Sequence, residues 1–420
     1  MTSVILLMLA TMANAQRSDV ELKRCATAEL DSIRVEKKPS LMLLRQKSEE
    51  VIQNHIHEAS ARFRTSADMI VTIPVVVHIV HNRADNRIGG TGNSNISQEQ
   101  IQSQIDVLNE DYSNTSGYKG FYTDSLSVDT GIRFRLAGIV RTYSSQPNYD
   151  FRTADKQLAT QSPPWATNRY LNIWVCNFSS GYLGLAQMPS IAHADRSTPG
   201  LRVGDEEDSD PLTDGVIIDW RYFGRDLSAS TSGIYNLGRT TTHEVGHWLG
   251  LIHIWGNTIC GTDYCEDTPR ARDRNLSTDL SCEPKYSNCD GPVSRNMIEN
   301  YMDYSPDLCM SVFTNDQKNR MHAVLAVSPR RAQLVEYSRR SDSNLAVELY
   351  PNPVEGYLNA NVYTPDYAGF DISVFNNSGV EMLKGAYNQT YINVKNFPAG
   401  IYFLRVTAGS ETVTKRFLVR

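Results

Sequence analysis

The sequence has little net charge and, beyond its N-terminal stretch, no apolar run long enough to cross a bilayer. The formal net charge is −6 over 420 residues, and this mild acidic balance argues against binding to nucleic acid or to a membrane surface. The length suggests two or three domains, and 40% hydrophobic residues can build ordinary globular cores. The composition therefore favours a globular protein of several domains without a transmembrane segment.

Cysteine is scarce and unevenly placed. There are 7 cysteines, an odd number, and Cys25 and Cys176 each stand alone. The others crowd into residues 260–309, which predicts a loop-rich region held by disulfides. The spacing leaves the connectivity of these disulfides open.

Residues 1–15 are typical of a secretory signal sequence. An apolar run over residues 4–10 precedes Ala13-Asn14-Ala15, an A-x-A cleavage site, although positive charges before the run are missing. A buried N-terminal strand or helix is the alternative. Export would bring the chain into an environment where disulfides form.

The most informative segment is residues 243–253, which reads H-E-V-G-H-W-L-G-L-I-H. This is the H-E-x-x-H-x-x-G-x-x-H pattern of metzincin zinc peptidases. His243 and His247 are four residues apart, so a helix places both on one face, where two imidazoles can hold one Zn²⁺. Gly250 accepts the backbone conformation that ends a helix, and His253 can then return as a third ligand.

Three protein ligands leave one coordination position open, which indicates a catalytic zinc site. Glu244 follows the first ligand and can activate a metal-bound water for attack on a peptide carbonyl. The alternative is a buried amphipathic helix with incidental histidines. The motif uses three of only 9 histidines, all in register, and this disfavours the alternative.

Residues 16–64 are charged, with a helical pattern but no strong core face, and they contain Cys25. The thiolate of Cys25 could occupy the open zinc position and exclude water, which would make this stretch an inhibitory pro-segment. A disulfide with Cys176 and an unpaired thiol are the alternatives.

The central part of the chain alternates strand and helix patterns. We predict strands over residues 70–80, 131–140, 171–175 and 214–219, a helix opened by Ser97, and the zinc helix over residues 236–251. An edge-like strand over residues 182–189 is where an extended substrate would pair, although a plain surface strand fits nearly as well. A helix opened by Thr314 is expected to stop at Pro329.

Two further features follow the zinc helix. Asp263, Glu266, Asp267 and Thr268 offer hard oxygen ligands that suit Ca²⁺, and a solvated acidic turn is equally consistent with them. Met302 lies in N-Y-M-D-Y, residues 300–304, and fits the methionine turn below the zinc ligands of a metzincin.

The resemblance to a known family rests on the zinc motif, on N-Y-M-D-Y, and on Cys309 followed by Phe313-Thr314, Gln317 and Arg320-Met321. Over residues 70–328 the chain resembles the pappalysin family of metzincins. The resemblance implies an α/β (α+β) catalytic domain, with a twisted, mostly parallel sheet, an active-site helix and backing helices. It implies that His243, His247 and His253 bind zinc and that Glu244 is the general base and acid.

Three residues beyond the zinc helix receive roles from the same resemblance. Met302 would be the residue of the methionine turn, and Tyr304 would stabilise the tetrahedral intermediate as a phenol donor. Asp307 would form the floor of the pocket for the residue just after the scissile bond and select Arg or Lys. An ordinary turn residue is the alternative for Asp307.

The family's disulfides map onto two pairs, Cys260–Cys289 and Cys282–Cys309. Cys265 departs from the family, in which an apolar residue is usual, and its partner could be Cys176. The family's calcium loop maps to Asp263, Thr268 and Glu266, the last through its carbonyl.

Cys25 resembles the family's cysteine switch, in which a pro-segment thiol binds the zinc of the zymogen. A protease that prefers Arg after the cut could release its own pro-segment at Ala61–Arg62 or at Phe63–Arg64.

Residues 347–420 show short alternating runs separated by Gly, Asn and Pro, which predicts a small all-β sandwich. Y-P-N-P at 350–353, P-A-G-I-Y at 398–402 and the basic end K-R-F-L-V-R at 415–420 resemble the C-terminal sorting domain of the type IX secretion system. This implies export through the secretion machinery across the outer membrane of a Gram-negative bacterium, then removal of the tail or surface attachment. A carbohydrate- or protein-binding sandwich is the alternative.

The predicted division is a signal sequence over 1–15, a pro-segment over 16–64, a catalytic domain over 65–331, a polar linker over 332–346 and the β-sandwich over 347–420. We expect a secreted zinc endopeptidase, made as a zymogen, that cuts proteins and peptides before Arg or Lys. The rivals are a binding protein that has lost activity, against which the intact Glu244 argues, and a zinc hydrolase of non-peptide amides.

Overall fold

The computed structural model describes residues 22–62, 70–118, 120–179, 181–191, 210–225, 233–277, 280–289, 291–341, 345–363, 370–387 and 391–420. The predicted signal sequence lies outside these residues. Within the described ranges, no helix combines the length and the apolar character that crossing a membrane requires.

The elements are numbered in chain order. The helices are α1 (Thr27–Lys37), α2 (Ser40–Arg62), α3 (Gln98–Tyr112), α4 (Thr123–Leu126), α5 (Ala154–Gln161), α6 (Arg239–Trp248), α7 (Asn315–Val327) and α8 (Pro329–Ser341). The strands are β1 (Lys23–Cys25), β2 (Val71–His81), β3 (Ile132–Tyr143), β4 (Leu171–Cys176), β5 (Tyr182–Ala186), β6 (Val216–Asp219), β7 (Tyr286–Ser287), β8 (Ser294–Arg295), β9 (Ala346–Tyr350), β10 (Tyr357–Tyr363), β11 (Phe370–Asn376), β12 (Glu381–Tyr387), β13 (Tyr391–Asn393), β14 (Gly400–Ala408) and β15 (Glu411–Val419).

A six-stranded sheet in the order β1-β5-β6-β4-β2-β3 lies at the centre of the predicted catalytic domain. β2 pairs in parallel with β3 and β4, and β4 pairs in parallel with β6. β5 runs antiparallel to β6, so the sheet is mixed at this edge. β2 is buried along nearly its whole length, as expected for a strand rich in β-branched residues with both faces covered.

Helices α3 and α6 pack against each other and against this sheet. Ser97 caps the N-terminus of α3, because its side chain accepts a hydrogen bond from the Gln100 amide, and the helix buries Ile101, Ile105 and Leu108. This periodic apolar face holds the sheet and the motif-bearing helix α6 in one core.

The N-terminal segment packs on the catalytic part of the chain. β1 adds to the sheet beside β5 in parallel orientation, with Lys23 opposite Tyr182 and Cys25 opposite Gly184. Farther along, α2 packs against α7, and Ile52 joins the apolar cluster that contains Val324. The segment therefore covers the catalytic domain at two separate places.

The interpretation of residues 332–346 as a linker is wrong. α8 begins at Pro329 and continues to Ser341, and its Leu334 and Val335 are buried in the main core. Arg331 is also buried, and its guanidinium donates to both carboxylate oxygens of Asp214 at 2.8 and 2.9 Å. Proline ends a preceding helix but is favoured at the first position of a new one, and the sequence interpretation missed this second role.

The C-terminal region is all-β, as predicted. β9, β10 and β13 form one antiparallel sheet, and β11, β12, β14 and β15 form another. Both sheets contribute to a separate apolar core that includes Val347, Leu358, Val374 and Leu404. Alternating inward residues of this kind are what a two-sheet packing requires.

Candidate active site

The three motif histidines converge on one point. His243 and His247 lie on the same face of α6, and Gly250, with a φ of +86°, turns the chain away from the helix. His253 returns after this turn. The Nε2 atom of His253 lies 3.1 Å from that of His243 and 3.1 Å from that of His247, which are 3.2 Å from each other.

The outer nitrogen of each ring faces an oxygen acceptor. Nδ1 of His243 donates to the Tyr301 carbonyl at 2.7 Å, and Nδ1 of His247 donates to the Leu251 carbonyl at 2.9 Å. Nδ1 of His253 donates to Oδ1 of Asn257. Because these acceptors carry no proton, each ring keeps its proton on Nδ1 and points the Nε2 lone pair inward.

The convergent nitrogens fit a zinc ion. One ligand atom from each histidine, together with Sγ of Cys25, forms a buried group whose members all lie within 4.8 Å of one another. Burial lowers the pKa of His247 to about 4, so the neutral, metal-binding form of this imidazole prevails. Three nitrogens and one sulfur in this arrangement suit tetrahedral Zn²⁺. When bound, the metal would polarise a carbonyl and acidify a water.

Glu244 is buried beside this site. Its Oε2 accepts a hydrogen bond from the Thr27 hydroxyl at 2.8 Å and lies 3.4 Å from Sγ of Cys25. Burial raises the pKa of Glu244 to about 8. A Cβ at Gly184 would lie 2.8 Å from the Glu244 side chain, so β5 passes close over the carboxylate only because this position is glycine.

The methionine turn lies under the zinc helix. A Cβ at Gly246 would collide with Sδ of Met302, so helix and turn are in direct contact. The turn is fixed by Asn300, which exchanges two side-chain hydrogen bonds of 3.0 Å with Gln317 of α7. The Asn300 side chain also accepts from the Met302 amide at 2.9 Å.

Tyr304 faces the histidine cluster. Its ring centroid lies 5.1 Å from that of His253 and 5.7 Å from that of His243. Its hydroxyl donates to the Cys25 carbonyl at 3.1 Å. Burial raises the pKa of Tyr304 well above its usual value, so the phenol stays protonated and can act as a donor.

The Asp307 carboxylate is fully buried and accepts hydrogen bonds at both oxygens. Its Oδ2 accepts from the amides of Leu237 at 2.9 Å and Arg239 at 3.2 Å. Its Oδ1 accepts from the Arg24 guanidinium at 2.9 Å. The same guanidinium donates to the Ser305 carbonyl at 2.8 Å. An arginine of the N-terminal segment therefore forms a buried ion pair with Asp307.

The structure contains two disulfides in the region after the zinc helix, Cys260–Cys289 and Cys282–Cys309. Cys25, Cys176 and Cys265 are free thiols and all three are buried. The alternatives in which Cys176 pairs with Cys25 or with Cys265 are therefore wrong.

The acidic loop is compact. The Thr268 hydroxyl lies 2.9 and 2.8 Å from the two carboxylate oxygens of Asp263 and 2.8 Å from the Cys265 carbonyl. The side chain of Glu266 is exposed, and its backbone amide donates to Asp316. The carbonyl that joins the oxygen cluster belongs to Cys265.

Three residues at the site escaped the sequence interpretation: Arg24, Thr27 and Asn257. Arg24 and Thr27 flank Cys25, so the predicted role of that cysteine could have drawn attention to them. Asn257 follows His253 by four residues, the spacing at which a side chain can reach back over a turn.

The mixed sheet, the histidine pair on α6, the third histidine after a glycine turn and the methionine beneath them define a metzincin-type zinc metallopeptidase. Comparison with known proteins agrees with this class. Residues 208–326 match the model of the pregnancy-associated plasma protein-A peptidase family, and residues 348–420 match that of the secretion system C-terminal sorting domain.

Similar proteins include extracellular metalloproteases of two fungi. That of Colletotrichum graminicola is 31% identical over 65% of this chain and 84% of its own length. That of Trichophyton verrucosum is 31% identical over 61% of this chain and 79% of its own length. The chain belongs to the pregnancy-associated plasma protein-A family of metallopeptidases, the pappalysins.

Two solved structures from Tannerella forsythia share this fold. A promirolysin variant is 33% identical with a TM-score of 0.60, covering 76% of this chain and 99% of its own. Mature mirolysin in complex with a cleaved peptide is 35% identical with a TM-score of 0.54, covering 66% and 98%. The protein is thus a secreted zinc metalloendopeptidase with a sorting domain at its C-terminal end, as the sequence predicted.

Proposed function

We propose that the chain is the zymogen of an endopeptidase that cleaves on the N-terminal side of Arg and, less readily, of Lys. The observation that carries the specificity is the contact between Asp307 and Arg24. A buried carboxylate with a fixed orientation favours a cationic side chain, and a guanidinium can make parallel bonds that an ammonium cannot. Cleavage-site profiling of the processed enzyme on a peptide library tests this proposal.

In this proposal His243, His247 and His253 hold the zinc, and Met302 supports them from below. Glu244 takes a proton from the attacking water and passes it to the leaving amine. Tyr304 donates a hydrogen bond to the carbonyl oxygen as negative charge develops there.

Strand β5 would hold the substrate backbone, as its pairing with β1 suggests. Lys23 and Ala26 already donate backbone hydrogen bonds to the Gly181 and Gly184 carbonyls at 3.0 and 2.9 Å. An extended substrate can use the same edge after the N-terminal segment leaves.

The N-terminal segment inhibits the enzyme through four contacts in the proposed zymogen. Cys25 supplies the sulfur that fills the remaining zinc position, and Arg24 fills the pocket of Asp307. β1 covers the edge of β5. Thr27 adds the fourth contact, because its hydroxyl donates to Glu244 at 2.8 Å and accepts from the Ala186 amide at 2.8 Å. The proposed base and one backbone donor of the cleft are therefore both occupied.

Replacing Thr27 with Val should raise the peptidase activity of the uncut zymogen. Valine keeps the shape of the side chain but removes the hydroxyl, and a hydrogen bond to an uncharged partner contributes about 0.5–1.5 kcal/mol. We expect the initial rate of peptide cleavage by intact zymogen to rise about 2- to 10-fold, with Cys25→Ala raising it further. The rate is measured with a fluorogenic arginine peptide while gel electrophoresis confirms that the chain is uncut.

The matched control is Ser32→Ala, which removes an exposed hydroxyl of α1 that donates to the Ala28 carbonyl of the same helix. This variant should keep the wild-type rate. The role given to Thr27 would be contradicted if the Thr27→Val zymogen were as inactive as wild type while the Cys25→Ala zymogen was active.

Release of the segment would follow cleavage near the end of α2. Ala61–Arg62 lies in its last turn, and Phe63–Arg64 extends beyond the described residues. After the cut, α2 would still be held by Glu49, which accepts two hydrogen bonds of 2.6 and 2.7 Å from the Arg320 guanidinium. Mass spectrometry of the mature N-terminus tests these sites, and a start elsewhere would exclude self-release there.

We also propose that the acidic loop binds Ca²⁺. A hydroxyl has one proton to donate, yet the Thr268 hydroxyl has three acceptor oxygens within 2.9 Å, from Asp263 and Cys265. A cation bound among these oxygens would offset their mutual repulsion better than a single proton can. The resemblance assigned the carbonyl ligand to Glu266, but the carbonyl that lies in this cluster is that of Cys265.

Calcium should raise the thermal midpoint of the full chain. A ligand at 100 times its dissociation constant stabilises the folded state by about 2.7 kcal/mol, which corresponds to about 5–10 °C for a domain of this size. Asp263→Asn should abolish most of this shift, and Glu266→Gln should keep it, because the Glu266 side chain is exposed. Unfolding scans with calcium and with a calcium-selective chelator measure the effect, and equal shifts in wild type and Asp263→Asn would refute the site.

The proposed catalytic unit extends to residue 341, because α8 is part of its core. The C-terminal sandwich over 347–420 would engage the secretion machinery and then be removed or serve as a surface anchor. Analysis of the C-terminus of the secreted protein distinguishes these two outcomes.

A further inference from the structure

We propose that Asn257 is a positioning residue that orients the third zinc ligand, His253, and thereby sets the zinc affinity of the enzyme. This inference rests on the proposed zinc site, and it concerns a side chain to which neither the motif nor the family resemblance gives a role.

The three histidines are oriented in two different ways. His243 and His247 donate their outer protons to backbone carbonyls, which no side-chain substitution can remove. His253 lies outside the helix, and its Nδ1 proton goes to a side-chain oxygen, that of Asn257. The third ligand is therefore the one whose orientation depends on a replaceable group.

The loop that carries Asn257 is tightly wound. The Gly256 amide donates to the His253 carbonyl at 2.8 Å, and the Gly261 amide donates to the Trp255 carbonyl at 3.1 Å. Gly256 has a φ of +64°, and a Cβ there would collide with the backbone at Thr262. Asn257 itself has a φ of +60°, a conformation that asparagine tolerates better than most residues.

The same loop is anchored at its far end. Cys260 is linked to Cys289, and its amide donates to the Arg272 carbonyl at 3.1 Å. A loop fixed at both ends holds the Asn257 amide in place before any metal binds. Preorganisation of this kind lowers the entropy lost when the ligand set closes around an ion.

One remaining motion of the His253 ring is rotation in its own plane. Trp255 stacks on the imidazole with centroids 4.3 Å apart and planes 5° apart, which restricts tilting but permits sliding and in-plane rotation. The hydrogen bond to Asn257 fixes this rotation. It therefore determines the direction of Nε2, which must point at the common centre of the three nitrogens.

The test compares zinc binding by Asn257→Gly, Asn257→Asp and Ile259→Gly. Glycine removes the amide without strain, because it adopts positive φ freely. Aspartate restores an acceptor at the same place. Ile259→Gly adds equal chain flexibility two residues along, at a side chain that is 75% exposed. The full chain carries Cys25→Ala and Glu244→Ala in every case, so that neither the thiol nor self-digestion interferes.

We expect competition with a chromophoric chelator to give a zinc dissociation constant about 10-fold or more higher for Asn257→Gly. The visible spectrum of the cobalt-substituted protein should change in the same variant. Asn257→Asp should bind zinc at least as tightly as the parent, and Ile259→Gly should equal the parent.

Two results overturn the inference. One is a parental affinity and cobalt spectrum in Asn257→Gly, and the other is equal weakening in Asn257→Gly and Ile259→Gly. If the parent itself binds no zinc, the proposed metal site fails, and that failure is distinguishable from failure of the Asn257 role alone. Because Asn257 lies in an exposed stretch, the substitutions leave the core intact.

Discussion

Replacing Glu244 with Gln should lower kcat/KM of the processed enzyme by about 10²- to 10⁴-fold. Glutamine has the size of glutamate and can still accept hydrogen bonds, but it cannot take a proton from water at neutral pH. The substitution leaves Asp307 and the edge of β5 unchanged, so peptide binding should persist. Steady-state cleavage of an arginine peptide, after removal of the pro-segment by an added protease, measures the loss.

The control for this variant is its metal content. Zinc bound by Glu244→Gln should match wild type, because the carboxylate is not among the converging ligand atoms. A variant that keeps more than a tenth of the wild-type rate with full zinc would show that another group accepts the proton.

The second large effect is expected at Asp307. Asp307→Asn should reduce kcat/KM for peptides with Arg after the scissile bond by about 100-fold, because loss of one partner of a buried charge pair costs about 2–5 kcal/mol. The asparagine carbonyl can still accept from the Leu237 and Arg239 amides, so the local fold is retained. Its amide group would then face the incoming guanidinium and repel it.

Cleavage-site profiling on a peptide library gives the clearest readout. Wild type should cut before Arg and Lys, and Asp307→Asn should lose this preference while cuts before uncharged residues persist. Asp85→Asn removes an exposed carboxylate of the catalytic domain and should leave the profile unchanged. Wild-type cleavage without a basic preference would defeat the assignment of the pocket and leave the zinc chemistry untouched.

The metal-binding helix could be predicted because its pattern depends on residues that are close in the sequence. The spacing of His243 and His247 follows the helix period, and Gly250 marks the end of the helix. The periodic face of α3 and the alternating strands of the C-terminal domain are local in the same sense. Patterns of this kind are decided by neighbours in the sequence, and the structure agrees with them.

The remaining features depend on contacts between distant segments. Arg24 and Asp307 are separated by 283 residues, and Thr27 and Glu244 by 217. No periodicity connects such pairs. The linker interpretation of the α8 segment failed for a related reason. The segment is mostly polar, and its Leu334 and Val335 become buried only when they pack against distant parts of the core.

The direction in which the N-terminal segment runs determines whether the enzyme could cleave it. Read from N- to C-terminus, it meets the Asp307 pocket at Arg24 first and the histidines at Cys25 second. A substrate cut before arginine must meet them in the opposite order, with its carbonyl at the histidines and the next side chain in the pocket. β1 therefore runs in the direction opposite to that of such a substrate. Its peptide bonds have the reverse orientation relative to Glu244. In the proposed zymogen, Arg24 would therefore hold the recognition site for arginine without placing a peptide bond in the orientation that the enzyme cleaves.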